Sequence, residues 1–193
     1  MKFAHTTIAA ALGLAFCAAA FAQAGTVQRD VNQQQRIEQG LQSGQLTTRE
    51  AGRLEREESR VERDQARAMQ DGKLSPAEKA RLAREQNRVS RDIYREKHDA
   101  QTGNPNSASS QRMQADVQRN VNQQQRIEQG VKSGSLTNRE TARLERGEAR
   151  IDRAEARAGA DNKVGPREQR RIQKAENRES RRIHREKHDA QTK

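Results

Sequence analysis

The chain has 193 residues, including 38 Lys or Arg and 27 Asp or Glu, and its formal net charge is +11. Its one cysteine, Cys17, and its three phenylalanines all precede residue 25, and the one aromatic residue after them is Tyr94. Residues 25–193 therefore exclude disulfides, cysteine-ligated metal centres and thiol catalysis. They also lack the aromatic platforms on which single-stranded nucleic acids stack.

The first predicted element is a secretory signal peptide over residues 1–24. Lys2 is followed by an apolar run from Ile8 to Ala22, and Ala22-Gln23-Ala24 has the small-x-small pattern of a cleavage site. The run is too short and too rich in alanine for a lasting membrane span. Lipidation at Cys17 is the alternative, but Phe16 occupies the preceding position, where a small residue is normal. We expect cleavage after Ala24 and a periplasmic or secreted chain of net charge +10, because the segment holds one basic residue and no acid.

The rest of the chain is an internal duplication. Residues 27–102 align without a gap on residues 117–192, and 47 of the 76 positions are identical. Val31 to Gly40 recurs unchanged as residues 121–130, and Arg95 to Thr102 recurs as residues 185–192. We predict a first helical repeat unit over residues 25–102, a flexible polar linker over 103–111 and a second unit over 112–193.

Helix-start signals divide each copy into three predicted helices. The predicted helices cover residues 27–42, 47–70 and 76–101 in the first copy, and 114–132, 137–160 and 166–191 in the second. Capping boxes are predicted for the pairs Thr47 with Glu50, Ser75 with Glu78, and Thr137 with Glu140. No strand pattern is visible. The sequence therefore predicts an all-α fold of two tandem three-helix units, arranged as helical hairpins or a bundle.

The two copies identify the predicted core, because few positions are apolar in both. The ten such pairs are Val27/Val117, Val31/Val121, Ile37/Ile127, Leu41/Val131, Leu46/Leu136, Leu54/Leu144, Val61/Ile151, Leu74/Val164, Leu82/Ile172 and Ile93/Ile183. Val89 departs from this pattern, since Glu179 takes its place in the second copy. With so few apolar side chains to bury, a single copy is expected to be only marginally stable. Three outcomes are open: the copies pack on each other, the chain forms a homodimer, or the helices stay partly open until a partner binds.

Two kinds of metal site can be considered. The loop ending at Glu50 has the spacing of an EF-hand, with Gly44 at position 6, but positions 1, 3 and 5 are Gln39, Leu41 and Ser43. The three corresponding loops, which hold Asp71, Ser133 and Asp161, are equally poor in carboxylates. His184 and His188 lie four apart on a predicted helix and could share an ion. The first copy has Tyr94 and His98 there, so we favour solvated histidines and expect no bound metal or cofactor.

Catalytic and base-reading motifs are not found. The sequence has no phosphate-cradling glycine loop, no nucleophile–base set and no DNA-recognition motif, so neither an enzyme nor a sequence-specific nucleic-acid binder is expected. The acids lie among arginines, and pairs such as Asp64 with Arg67 are spaced to neutralise each other along a helix. We therefore expect the Asp and Glu side chains to be ion-paired or solvated on helix surfaces.

Val31 to Gly40, the Gly-x-Leu-Thr/Ser-x-x-Glu helix starts and Arg95 to Thr102 together resemble a group of small exported bacterial repeat proteins, largely uncharacterised. That resemblance implies no established activity. Leu46-Thr47-Thr48-Arg49-Glu50 and its counterpart at 136–140 are more weakly similar to periplasmic stress proteins with a Leu-Thr-x-x-Gln motif, although Glu stands where Gln is expected. This second resemblance implies long helices and chaperone or metal-stress roles.

Two functions follow as expectations. The first is an exported, non-enzymatic interaction protein that binds acidic or partly unfolded proteins, or anionic polymers and surfaces, through basic helices. The alternative is a metal- or calcium-responsive periplasmic protein that uses the degenerate loops or His184 and His188. The carboxylate-poor loops and the missing first-copy histidine favour the first function.

Overall fold

The computed structural model describes the backbone of residues 11–189 and the side chains of residues 23–189. Six α-helices run in chain order: α1 Ala11–Ser43, α2 Thr48–Ala68, α3 Pro76–Lys97, α4 Ala108–Ser133, α5 Asn138–Ala158 and α6 Pro166–Lys187. A short 3-10 turn, Gly159–Asp161, follows α5. The described backbone contains no strand. The predicted all-α fold, with three helices in each copy, is confirmed.

Reciprocal side-chain caps begin α2, α3 and α5. Thr47 accepts a hydrogen bond from the backbone N–H of Glu50, whose carboxylate accepts one from the N–H of Thr47 at 2.8 Å. Ser75 with Glu78 and Thr137 with Glu140 form the same arrangement. These caps satisfy N–H groups that have no partner within the helix, and thereby fix where each helix begins.

Four helix boundaries differ clearly from the sequence prediction. Helix α4 begins at Ala108, inside the predicted linker, because Ser107 caps it by accepting from the N–H of Ser110 at 3.1 Å. Helices α3 and α6 end at residues 97 and 187 rather than 101 and 191, and in each the histidine that follows hydrogen-bonds a carbonyl four residues back at 2.7 Å. Helix α1 extends into the predicted signal peptide, whose residues 1–10 lie outside the described residues.

The two copies pack on each other, which is one of the three outcomes left open by the sequence. Helix α2 lies along α5 and α1 along α4, while α3 and α6 flank the pairs. The α2 and α5 chains run antiparallel, since Gly52 near the start of α2 lies beside Gly159 after the end of α5. A Cβ on Gly159 would lie 2.7 Å from the backbone oxygen of Thr48. Glycine at this position therefore allows the two helices to approach closely.

The apolar core joins the two copies. Every residue of the ten predicted pairs is buried except Leu74, which is partly buried. The largest cluster combines residues of the first copy, such as Leu54 and Val61, with Met113, Val117 and Ile151 of the second. A second cluster joins Val27 to Ile127, Val131 and others of the second copy. Among the described residues, no helix is both long and apolar enough to cross a membrane.

Candidate functional site: a buried carboxylate cluster and an exposed basic row

A stripe of carboxyl groups lines the contact between α2 and α5. On α2 it consists of Glu55, Glu58 and Glu62, continued by the amide of Gln65; on α5 it consists of Glu145, Glu148, Asp152 and Glu155. Each of these side chains is at most 1% exposed. The expectation that the acids lie ion-paired or solvated on helix surfaces is therefore wrong for this group. The 3- and 4-residue spacing puts them on the buried face, next to Leu54 and Val61.

In the first copy, amides from neighbouring helices hold two of the buried carboxyls. Gln34 of α1 donates to the Glu55 carboxylate at 2.9 Å. Asp30, one turn earlier on α1, accepts from Gln65 at 2.6 Å and from Gln86 of α3 at 2.7 Å. These neutral donors fix the side chains without supplying a positive charge.

In the second copy the same positions exchange acid and amide. Asp30 accepts from Gln65 in the first copy; their counterparts in the second copy are Asn120 and Glu155. There the amide of Asn120 is the donor, to Glu155 at 2.8 Å and to Asp152 at 3.3 Å. Gln124, the counterpart of Gln34, donates across the copies to Glu62 at 2.6 Å. The duplicated helices therefore keep one network of amide–carboxyl contacts with altered positions of the acids.

Positive charge is missing from this interior. Among the described residues, 15 Asp and Glu side chains are buried, and no Lys, Arg or His side chain is. Both carboxyl oxygens of Glu58 and of Glu148 are buried and have no hydrogen-bond partner. A buried carboxylate without a partner is costly, so these groups require neutralisation by a proton or by a cation.

Burial raises the pKa of the whole cluster. Desolvation raises the pKa of Asp30 and of Glu55 to about 7 each, opposed by the amide hydrogen bonds described above. For Glu58, desolvation and then the neighbouring carboxylates of Asp30, Glu55 and Asp152 raise the pKa well above its ordinary value. Desolvation and neighbouring acids likewise raise the pKa of Glu148. The cluster thus favours its neutral form whenever no cation is bound.

Three of these carboxyls converge on one point. Glu55 from the first copy and Asp152 and Glu155 from the second each offer an oxygen, and the three oxygens lie within 4.8 Å of one another. Two similar groups of acids, Glu50 with Glu96 and Asp99, and Glu140 with Glu186 and Asp189, lie at the helix ends and include exposed residues. The central group is the one in which all three residues are buried.

The outer face of α6 carries a row of cations. Its members are exposed and recur every three or four residues: Arg167, Arg171, Lys174, Arg178, Arg181 and Arg185. The corresponding row on α3 is partly neutralised, because Arg81 pairs with Asp64 and Glu85, and Arg95 pairs with Asp92. Within residues 23–189, no ion pair involves Arg167, Arg171, Lys174, Arg178 or Arg181.

The metal ligands considered in the sequence are placed elsewhere. The rings of His184 and His188 are exposed and stacked, with centroids 4.3 Å apart, and Tyr94 and His98 stack in the same way at 4.1 Å. The same ring stacking therefore recurs at the ends of α3 and α6. In the first loop, the residues at positions 1, 3 and 5 of the supposed EF-hand all belong to α1, so no calcium loop forms there.

The sequence held one signal for the buried cluster. Acids occupy the same positions in both copies at Glu55/Glu145, Glu58/Glu148 and Glu62/Asp152, immediately beside the apolar positions of α2 and α5. Glu179 is a further buried acid, and its carboxyl occupies the space that a Cβ on Gly147 would need. In the first copy, Val89 is the counterpart of Glu179 and Glu57 is the counterpart of Gly147.

Comparison with known proteins gives no relative. No protein-family model matches the chain, and neither the curated proteins nor the solved structures yielded a significant match.

Proposed function

We propose that the chain is an exported, non-enzymatic protein that binds anionic polymers or surfaces through its basic exterior. The observation that carries this proposal is the segregation of charge: 15 of the 27 acids are buried, while every described Lys and Arg side chain reaches solvent. The surface is consequently far more positive than the net charge of +11 indicates. A dense positive surface attracts polyanions at long range.

The row on α6 is the proposed centre of this surface. From Arg167 to Arg185 it spans 18 residues, or about 27 Å of helix. Its unpaired cations can follow a linear polyanion without reading its sequence, since phosphate or sulfate contacts carry no base information. The described exterior offers little to an apolar client, because Tyr94 is its exposed large hydrophobic side chain. We therefore place acidic partners ahead of partly unfolded ones.

The test is binding of heparin and duplex DNA by the full chain across a salt series. We expect the logarithm of the binding constant to fall linearly with the logarithm of salt concentration, with little dependence on DNA sequence. The triple variant Arg171→Gln, Arg178→Gln, Arg181→Gln should bind more weakly and with a shallower salt slope, by up to ~0.9 for each lost phosphate contact.

A matched control removes the same charge elsewhere. The variant Arg143→Gln, Arg150→Gln, Arg157→Gln alters three exposed arginines of α5, and it should lose less affinity than the α6 variant. Absence of binding to either polyanion at low salt would refute the proposal. A complex insensitive to salt would refute it as well and would indicate an apolar protein client.

A further inference from the structure

The buried carboxyl groups between α2 and α5 differ from an ordinary acidic patch in three respects. They lie inside the protein, their neighbours are amides and other acids, and they come from both copies of the duplication. An acidic patch on a surface needs no ligand, because water solvates it. This cluster has been removed from water, so its carboxyl groups must be neutralised by protons or by a bound cation.

We propose that Glu55, Asp152 and Glu155 form a binding site for a hard multivalent metal ion of the Ca²⁺, Mn²⁺ or lanthanide class. The proposal adds a site to the polyanion-binding function and does not depend on it. It rests on the convergence of three buried carboxyl groups and on the buried oxygens of the same three residues that have no hydrogen-bond partner.

The spacing of the oxygens fits one ion. Ca²⁺ binds oxygens at 2.3–2.6 Å, so two ligands of a single ion can be no farther apart than about 5.2 Å, when they lie on opposite sides. The oxygens of Glu55, Asp152 and Glu155 all lie within 4.8 Å of one another. Three carboxylates can therefore share one ion without moving the helices that carry them.

Unpartnered oxygens within the group itself are the independent sign of a missing ligand. Glu55 Oε1, Asp152 Oδ2 and Glu155 Oε1 are buried and have no hydrogen-bond partner. The amides of Gln34 and Asn120 hold Glu55 and Glu155 by their other carboxyl oxygens. Each of the three carboxyls therefore keeps one buried oxygen that a bound cation would satisfy.

The chemistry of the donors selects the class of ion. The groups available are carboxylate and amide oxygens, which suit hard cations, and no histidine side chain is buried among the described residues. Zn²⁺ and Cu²⁺ prefer imidazole or thiolate ligands and are disfavoured here. The second copy supplies two of the three converging ligands, so the site requires both halves of the chain.

The experiment uses the full chain, stripped with EDTA and exchanged into chelator-free buffer. CaCl2, MnCl2 and TbCl3 are added separately, and bound metal is counted after gel filtration while thermal unfolding is followed by circular dichroism. We expect at least one of these ions to be retained at one or more per chain and to raise the melting temperature at constant ionic strength.

The variants Asp152→Asn and Glu155→Gln remove one ligand charge each with little change in shape. Each should weaken binding of the retained ion at least ~10-fold, by analogy with losses around metal sites. Their metal-free melting temperatures should equal or exceed that of the wild-type chain, because a buried acid has been replaced by a neutral amide. If one variant fails to unfold cooperatively, the other still decides the question.

Asp71→Asn is the matched control, since Asp71 is an exposed loop acid with the spacing of a calcium ligand. It should bind metal as the wild-type chain does. Retention of none of the three ions, undiminished binding by both core variants, or loss of binding in Asp71→Asn would overturn the proposal.

Discussion

The side-chain amide of Gln124 in α4 donates a 2.6 Å hydrogen bond to Glu62 in α2. Both residues are at most 1% exposed, and each belongs to a different copy of the duplicated unit. A buried polar contact of this kind demands a defined register between the copies, because either group alone would be left unsatisfied. The two units are therefore joined by directional contacts as well as by apolar packing.

Leu54→Ala should destabilise the whole chain rather than one unit. Leu54 is 1% exposed and belongs to the apolar cluster that contains residues of both copies. We expect a loss of about 2–5 kcal/mol in the free energy of unfolding. Urea denaturation should show a single shifted transition. A loss below about 0.5 kcal/mol, or two separate transitions, would contradict the shared core.

Gly159→Ala should also destabilise the fold, because the new methyl group meets backbone atoms as well as a side chain. Its Cβ would lie 2.7 Å from the oxygen of Thr48 and 2.8 Å from the end of Met113. We expect a cost of about 1–3 kcal/mol from overpacking. Gly25→Ala is the control, as no atom lies within 4 Å of its added Cβ. Equal melting temperatures for the two variants would argue against the close approach of α2 and α5.

The metal-free chain should lose stability as the pH rises. Desolvation raises the pKa of Asp116 to about 8, aided by Glu176 and opposed by Arg119, and raises the pKa of Glu176 to about 7, opposed by Arg119. Both groups titrate near pH 4 in an unfolded chain. Between about pH 4 and 8, the folded state thus holds protons that the unfolded state has lost. Below about pH 4 both groups are protonated in either state, and their contribution to stability is complete. Above it, the free energy of unfolding falls by about 1.4 kcal/mol per pH unit for each group that is protonated only in the folded state.

Chemical denaturation in EDTA at several pH values measures this slope. The variant Asp116→Asn should reduce the slope most clearly between pH 5 and 8, because it removes the group with the higher pKa. A stability that rises over this range, as in proteins whose acids are ion-paired, would show that these carboxyls are not buried as described.

Export should remove the first 24 residues. The apolar run and Ala22-Gln23-Ala24 predict cleavage after Ala24. Ala24 is buried in the cluster that also contains Val27 and Ile127, so cleavage deletes one alanine from that cluster and retains Val27. Intact-mass measurement of protein from the periplasm or medium should give Gly25 as the first residue. Full-length protein confined to the cytosol would disprove export.

Local signals in the sequence were sufficient for the starts of the capped helices. Thr47 with Glu50 and Ser75 with Glu78 act within one turn of chain, so the starts of α2 and α3 follow from neighbouring residues. The duplication also separated the core from the surface, because an apolar residue kept in both copies, such as Leu54 with Leu144, lies inside. The start of α4 was missed because Ser107 lies in a segment whose composition suggests a linker.

The environment of the acids was decided by tertiary structure. Glu58 and Asp64 belong to one helix and lie among similar arginines in the sequence, yet Glu58 is buried without a partner and Asp64 pairs with Arg67 and Arg81. The difference arises because α2 turns the face bearing Glu58 toward α5 of the other copy. Periodicity gives the angle between two side chains on a helix. Which face of α2 is covered depends on α5, which begins 70 residues after α2 ends. For this reason the sequence determined the helices and the apolar core, and only the packing of the two copies determined the carboxylate cluster.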